Sequence, residues 1–162
     1  MATKTKLDQI DRKILMILQA NAKITNAKLS VEVGLSPAPT LERVKKLEKS
    51  GLIKSYHAQL AADKIGLGVG TFVLVSLTGH NKDTIKIFID AIAKIDEVME
   101  CHYITGSGDF MLRIVAKDIA SYQELMLDKV SEISVVDNLQ SMVILSTHKE
   151  SKVLPLPEKF ET

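Results

Sequence analysis

A basic helical stretch between Ser36 and Ile53 carries the side chains best suited to contact a polyanion. Ser36 and Pro37 are typical of a helix start, and Gly51 is typical of the residue after a helix end. Because Pro39 lacks an N–H, we expect the Ser36 hydroxyl to cap the amide of Ala38. The predicted buried stripe consists of Leu41, Val44 and Leu47. Basic side chains outside this stripe are Arg43, Lys45, Lys46 and Lys49.

The preceding residues predict two further helices, so that the basic helix becomes the second half of a helix-turn-helix. Thr25 or Asn26 is suited to cap a short helix that carries Leu29 and Val33, and Gly34 favours a chain reversal. Upstream, apolar residues between 7 and 18 recur at helical spacing. Downstream, residues 53–60 alternate at strand period and are a candidate wing.

In this arrangement the start of the basic helix would enter the major groove of a DNA duplex. The residues expected to approach base edges are Ser36, Pro37, Ala38, Thr40 and Arg43. The residues expected to bind phosphate are Lys45, Lys46 and Lys54.

Charge is divided unevenly along the 162 residues. Residues 1–57 carry a net charge of +6 and residues 58–162 carry −5, which together give the overall +1. The positive part is the part that carries the helix-turn-helix, as expected for a module that neutralises phosphates. The alternative is that scattered lysines only keep a small domain in solution. The coincidence of charge and motif favours DNA as a partner.

Other classes of function find little support in the sequence. There is no apolar run that predicts a membrane span or signal peptide, and Cys101 is the only cysteine, so we expect a cytoplasmic protein without disulfides. The four histidines are scattered, which argues against a metal site. No nucleophile has an adjacent base, so we expect no enzyme and no cofactor. Glycines at 66, 68 and 70 precede a strand rather than a helix, unlike a phosphate-binding loop.

The second half of the chain predicts the order βαββαβ. The expected strands are 69–77, 98–105, 109–116 and 135–145, and the expected helices are 84–95 and 119–130. Ile85, Phe88, Ile89 and Ile92 are expected to face inward from the first of these helices. This order predicts an α+β fold in which a winged helix-turn-helix precedes a ferredoxin-like sandwich, with two helices on one face of a four-stranded antiparallel sheet.

Both faces of the first predicted strand are apolar. Phe72 and Leu74 point one way, and Val73 and Val75 point the other. Because two helices cover only one face, the other face would leave an exposed apolar patch. We therefore expect a homodimer that packs sheet against sheet and presents two recognition helices to paired half-sites.

Over nearly its whole length the chain resembles the Lrp/AsnC family of bacterial and archaeal transcription regulators. The likeness is strongest at residues 7–15 and 36–56, where the run Ser-Pro-x-Pro-x-Leu-Glu-Arg-Val-x-x-Leu-Glu is similar to the leucine-responsive branch. The resemblance implies a winged helix-turn-helix, a βαββαβ effector domain, dimers that gather into octamers, and modulation by amino acids bound between dimers. It also leaves open that Arg43 turns inward to a structural role.

The family's effector loop corresponds here to Gly106, Ser107, Gly108 and Asp109. The loop joins two predicted antiparallel strands, so its glycines are expected to take positive φ in a hairpin turn. Loop N–H groups suit a carboxylate and Asp109 suits an ammonium, which together describe a free α-amino acid. By resemblance, the further lining residues are Ile104, Thr105, Ser141, Met142 and Val143. Gly108 departs from the family, because many members carry an aromatic residue there.

The expected domains are 1–60 for DNA binding, a hinge at 61–68, an effector and assembly domain at 69–150, and a tail at 151–162. The leading hypothesis is a sequence-specific regulator whose assembly or DNA affinity is biased by an amino acid. An alternative is an architectural protein that wraps DNA without an effector. A third is a small-molecule-binding or enzymatic protein whose helix-turn-helix is incidental.

Overall fold

A computed structural model of the chain describes residues 7–157. The chain divides into two compact units, one of residues 1–59 with 149–162 and one of residues 60–148. We call the described parts of the first, 7–59 and 149–157, the helical unit, and the second the sheet unit. The ends of the expected domains at 1–60 and 151–162 lie partly outside the described residues.

Three helices build the core of the helical unit: α1 (Gln9–Ala20), α2 (Asn26–Val33) and α3 (Pro37–Lys49). Asp8 and Asp11 form a capping box at the start of α1, and the Thr25 hydroxyl caps α2 through the amide of Lys28. Gly34 takes left-handed φ between α2 and α3, as a helix-turn-helix requires. The buried apolar residues of this core are Ile14, Leu18, Leu29, Val33 and Leu47.

The stripe that α3 buries differs from the predicted one. Leu41 is 42% exposed, whereas Thr40 is fully buried together with Leu47. Thr40, Val44 and Leu47 follow the same helical spacing, and the Thr40 hydroxyl donates to the Ser36 carbonyl at 2.9 Å. Because that bond satisfies the hydroxyl, threonine can occupy a buried position. The expected side-chain cap by Ser36 is also wrong, since its side chain makes no capping bond.

The candidate wing at residues 53–60 is not a strand in the described chain. After Gly51, which takes φ 76° as predicted, these residues form no ladder with another described segment. A strand needs a hydrogen-bonded neighbour, and the alternating pattern alone does not supply one. The following residues include a short 3-10 turn at Asp63–Ile65, within the expected hinge.

The sheet unit has the predicted order βαββαβ. Its strands are β1 (Val69–Leu77), β2 (Val98–Tyr103), β3 (Phe110–Ala116) and β4 (Val136–Val143), and its helices are α4 (Lys82–Ile92) and α5 (Ile119–Leu125). A π-helical turn, Met126–Val130, continues α5. All strand pairs are antiparallel in the order β2-β3-β1-β4, with Val73 opposite Leu112 on β3 and opposite Ser141 on β4. This is the ferredoxin-like arrangement.

One face of the sheet forms the core with both helices. Alternate residues of β1 and β3 are buried there, and Phe88 of α4 packs on Phe110 with ring centroids 4.7 Å apart. The prediction that Ile89 faces inward is wrong: its side chain is 45% exposed, because the buried face of α4 follows Phe88 and Ile92. The opposite face, which we call the open face, carries alternate residues of all four strands. Its members include Phe72, Leu74, Met111, Arg113, Glu100, His102, Gln140 and Met142.

Candidate DNA-binding surface and effector loop

The start of α3 is exposed in the way that contact with a duplex requires. Ser36, Pro37 and Ala38 are all exposed, and the Asn26 side chain donates to the Pro37 carbonyl at 2.8 Å. That bond fixes the first turn of α3 against α2. The sequence predicts Asn26 only as a candidate helix cap, because a hydrogen bond that joins two helices leaves no local pattern.

The predicted phosphate-binding residues are also exposed. Lys45, Lys46 and Lys54 all lie at the surface. Lys45 Nζ lies 3.1 Å from Glu42 Oε1, but both side chains are more than half exposed. Such a surface ion pair is weak and exchanges easily for a phosphate. The three lysines therefore remain suited to contact the phosphate backbone of DNA.

Thr40, which is predicted to approach base edges, does not reach the surface of α3. Its side chain is fully buried, and its hydroxyl is already bonded within α3. Thr40 therefore packs on the buried side of the recognition helix. A base contact would require the helix to leave its own core.

Arg43 holds the recognition helix to the start of α1. Its Nη1 lies 2.7 Å from Asp8 Oδ2 and 2.7 Å from Asp11 Oδ1. The Asp11 side chain is 2% exposed and the Asp8 side chain is 52% exposed, so the contact with Asp11 is the one that is shielded from water. The inward role left open by the resemblance is thus the one observed in the free chain. Base contact by Arg43 stays a prediction, and it requires the guanidinium to leave two carboxylates.

The same contacts shift the ionisation of the pair. The Asp11 amide, followed by the Arg43 guanidinium, lowers the pKa of Asp8 below its ordinary value of 3.8. The two carboxylates raise the pKa of Arg43, with Asp11 the larger cause. Asp8 and Arg43 are therefore both charged at neutral pH, and the contacts between them stabilise their ionised forms.

The effector loop, Gly106–Asp109, closes the β2–β3 hairpin. The Ile104 amide donates to the Asp109 carbonyl at 2.9 Å, and Gly106 takes φ 134°. Gly108 lacks the predicted positive φ. A Cβ built there would lie 2.6 Å from Leu74 Cγ, so any larger residue at position 108 requires the Leu74 side chain to move. The loop is therefore pressed against a residue of the open face.

Asp109 already has partners within the chain. Its Oδ2 accepts the Leu77 amide at 2.8 Å, and its Oδ1 lies 3.0 Å from His80 Nδ1. The carboxylate is 15% exposed while His80 is 71% exposed. The Leu77 bond anchors the loop to the end of β1. The oxygen toward His80 is the one that a ligand ammonium would have to take over.

The predicted β4 residues do not share one face with each other or one pocket with the loop. Ser141 lies opposite Val73 on the helix-covered face, where it accepts a hydrogen bond from the Tyr122 hydroxyl. Val143 lies on that face too, whereas Met142 lies on the open face. Because β1 separates β3 from β4, the loop and this part of β4 lie two strand spacings apart, about 10 Å, across the sheet, and they are also offset along β1, since the loop lies beyond Val75 while Ser141 pairs with Val73. A single chain therefore cannot close a small ligand between them.

The open face combines apolar and charged side chains. Phe72 and Leu74 on β1 are partly exposed there. Glu100 Oε1 lies 3.3 Å from Arg113 Nη1, and Glu100 Oε2 lies 3.0 Å from His102 Nε2. The His102 hydrogen bond, followed by Arg113, lowers the pKa of Glu100. The face thus offers an apolar strip beside a fixed charge cluster.

Within 7–157, no three histidine, cysteine, aspartate or glutamate side chains are grouped so that they could hold a metal ion. In the same range, no helix is long and apolar enough to cross a membrane.

Two family profiles match the chain. Residues 7–54 match a winged helix-turn-helix DNA-binding domain, and residues 71–154 match the Lrp/AsnC ligand binding domain. The first match includes the whole of α1, α2 and α3, and the second includes the effector loop and β4. The two matches coincide with the two surfaces described above.

Relatives are similar over nearly the whole chain. The transcriptional regulator AzlB of Bacillus subtilis is 37% identical over 152 residues, which are 94% of this chain and 97% of that protein. The leucine-responsive regulatory protein of Escherichia coli strain K12 is 35% identical over 148 residues, covering 91% of this chain and 90% of that protein.

Solved structures agree in fold over a similar extent. The regulator NMB0573 of Neisseria meningitidis, in complex with L-Met, has a TM-score of 0.88 and 36% identity, and the match covers 92% of this chain and 96% of that chain. The AsnC structure from E. coli has a TM-score of 0.85 and 25% identity, covering 93% and 100%. The chain is therefore a member of the Lrp/AsnC family, a DNA-binding transcriptional regulator with an amino-acid-binding domain.

Proposed function

We propose that this regulator binds specific DNA sequences as a dimer or higher oligomer, and that a free amino acid shifts its assembly or its DNA affinity. The observation that carries this proposal is the exposed start of α3, Ser36–Ala38, with Lys45, Lys46 and Lys54 at the surface. Short side chains at the helix start suit a close approach to base edges, and lysines suit phosphate. We expect such a protein to work in the cytoplasm, where the chromosome is accessible.

The open face supports assembly by sheet-to-sheet packing. Phe72, Leu74 and Met142 would be removed from water by a second copy of the same face, and an isologous contact of this kind creates a two-fold dimer. A two-fold dimer presents two recognition helices. Affinity for paired half-sites then rises without any new base contact.

The effector is inferred to be a free α-amino acid. Asp109 offers a carboxylate oxygen toward an ammonium through exchange with His80, and the loop amides near Gly106 offer donors to a carboxylate. The L-Met complex of NMB0573 supports this class of ligand. Because the loop and β4 are separated within one chain, we infer that the site is completed by a second chain, with Ser141, Met142 and Val143 supplied from the neighbour. The ligand then acts by linkage, favouring the assembly that binds it better.

One observation favours the alternative of an architectural protein with little sequence preference. Thr40 is buried and Arg43 is held by two carboxylates, so two of the five expected base readers are occupied. Fewer free base-reading groups leave a larger share of the affinity to phosphate contacts.

Selection of tight-binding duplexes from a random pool, followed by footprinting, separates the two functions. The proposal expects an enriched motif with two-fold symmetry, and equal retention of all sequences would support the architectural alternative. Footprints and light scattering are then repeated with each common amino acid. An amino acid that changes neither assembly nor DNA affinity is no effector, and failure of the whole panel would refute the regulatory half of the proposal.

A further inference from the structure

Residues 153–157, which we call the strap, lie along the outer side of α1. Gln19 makes two hydrogen bonds to Leu154: its Nε2 donates to the Leu154 carbonyl, and its Oε1 accepts the Leu154 amide, each at 2.9 Å. Arg12 Nε donates to the Pro157 carbonyl at 2.8 Å, and its Nη2 donates to the Leu156 carbonyl at 3.2 Å. Four hydrogen bonds thus hold one short segment to one helix.

The spacing of the two partners matches the geometry of the strap. Arg12 and Gln19 are seven residues apart, close to two helical turns, so they project from one side of α1 about 10 Å apart. Leu154 and Pro157 are three residues apart, and an extended proline-containing segment spans about 9 Å over that distance. Pro155 and Pro157 also restrict the residues before them to extended conformations. The strap therefore loses little conformational freedom when it docks.

The strap gives the helical unit a second covalent connection to the sheet unit. The last sheet contact is the Ile144 amide, which donates to the Gly70 carbonyl at 2.9 Å. The chain then continues through residues 145–152 to the strap. At the other end of the sheet unit, residues 54–68 lead from α3 to β1. The helical unit is thus attached through both ends of the sheet unit, and the strap contacts fix the second attachment.

We propose that the strap is a second tether that limits how far the recognition helix can swing relative to the sheet unit. The functional part of this inference rests on the proposed binding of a dimer to paired half-sites. With both tethers in place, the two recognition helices of a dimer reach a narrower range of separations. With the strap released, each helical unit hangs on residues 54–68 alone and reaches a wider range of half-site separations.

The strap can be released by substitutions in α1 or in the strap itself. Gln19→Ala and Arg12→Ala remove the side chains that bind the strap. Leu154→Pro removes the amide that donates to Gln19 Oε1, and it leaves the sequence of α1 unchanged. Lys13→Ala is the matched control, because Lys13 is an exposed residue on the same helix. Amide hydrogen exchange at Leu154 should become about fivefold faster in Gln19→Ala and stay unchanged in Lys13→Ala. Unchanged exchange in Gln19→Ala would overturn the contact itself.

The tether is tested by distances, without DNA. One spin label is placed on Cys101, the exposed native cysteine of β2, and the other on Lys23→Cys in the turn after α1. The labelled full-length chain is diluted with unlabelled chain, and the distance distribution is measured by double electron–electron resonance. The proposal expects a wider distribution in Leu154→Pro and in the Arg12→Ala and Gln19→Ala double variant. A distribution as narrow as that of the parent in Leu154→Pro, or in the double variant with fast exchange at Leu154, would overturn it.

The functional consequence is tested on the selected duplex with about half a helical turn, roughly 5 bp, inserted between its half-sites. The parent should lose at least tenfold in affinity on insertion, and the released variants less than threefold. Equal losses would refute the functional role of the tether. If no duplex with paired half-sites is enriched, the proposed function fails, while the distance measurement still decides the tether.

Discussion

The contact between Gly108 and Leu74 makes a quantitative prediction about the effector loop. A Cβ added at Gly108 would meet Leu74 Cγ at 2.6 Å, Cδ1 at 2.8 Å and Cδ2 at 3.2 Å. Leu74 must retreat from 2.6 Å to at least 3.4 Å, about 0.8 Å, to restore an ordinary contact. Overpacking of this size costs about 1–3 kcal/mol of unfolding free energy. We expect Gly108→Ala to lose that amount.

The source of the loss can be isolated because all three of the nearest atoms belong to Leu74. In a Leu74→Ala background the added methyl group has room, so Gly108→Ala should cost less than about 0.5 kcal/mol. The assay is urea unfolding of all four proteins at one protein concentration, followed by circular dichroism. The expected coupling energy is about 1–3 kcal/mol in favour of the double variant.

Gly106→Ala is the matched control on the same loop. Nothing lies within 4 Å of a Cβ built at Gly106, but its φ is 134°, so alanine is strained there for a backbone reason. Leu74→Ala should not relieve that strain. If Gly108→Ala costs the same with and without the Leu74 side chain, the steric reasoning is refuted.

Four further predictions concern the helical unit, DNA binding and the sheet core. Arg43→Ala leaves the buried Asp11 carboxylate without its cation and should cost about 1–3 kcal/mol in urea unfolding, discounted for the partial exposure of Arg43; no loss would show that the pair does not stabilise the fold. Because the folded pKa of Asp8 is lowered, the stability that ionised Asp8 contributes is present above about pH 4 and is lost as pH falls through the folded pKa. Arg43→Ala should therefore lose less unfolding free energy than the parent as the pH is lowered, and equal losses in the two proteins would contradict this. Thr71→Val should raise the unfolding free energy by about 1 kcal/mol, since Thr71 Oγ1 is buried without a hydrogen-bond partner among the described residues; a loss would reveal a missed partner. Lys46→Ala should reduce the slope of log affinity against log salt by about 1, equally on selected and random duplexes, and a sequence-dependent loss would instead assign Lys46 to base reading.

The elements of the sheet unit were predictable because their patterns are local. Alternation of buried and partly exposed residues along β1 is visible in the sequence, and the observed strand has the predicted bounds. Gly34 and Gly51 likewise predicted where α2 and α3 end, because each takes a left-handed conformation that glycine tolerates best. The sequence pattern and the structure agree at positions where a single physical effect, such as burial or left-handed backbone conformation, determines which residue type fits.

Helix phase was harder to predict than helix position. Leu41 and Thr40 are neighbours, and both continue the spacing of Val44 and Leu47. Hydrophobicity alone selects Leu41, but the Thr40 hydroxyl finds the Ser36 carbonyl one turn back and so can be buried at little cost. Because the buried face of α3 is shifted by one residue from the predicted face, Thr40 packs in the core where a DNA contact is predicted.

The remaining surprises depend on contacts between distant residues. Arg43 meets Asp11 across 32 positions, and Gln19 meets Leu154 across 135. Gly108 is constrained by Leu74, which belongs to another strand. None of these pairs has a characteristic spacing, so they become visible only when the fold brings the partners together.

The position of β1 between the effector loop and β4 bears on how the response would scale inside a cell. If the effector site is completed by a second chain, as proposed, the ligand and the protein copies must come together before either is saturated. The dose of amino acid needed for half the response should then fall as the regulator becomes more abundant. The expression level of the regulator would then determine its sensitivity to the amino acid, without any change in the residues that contact the ligand.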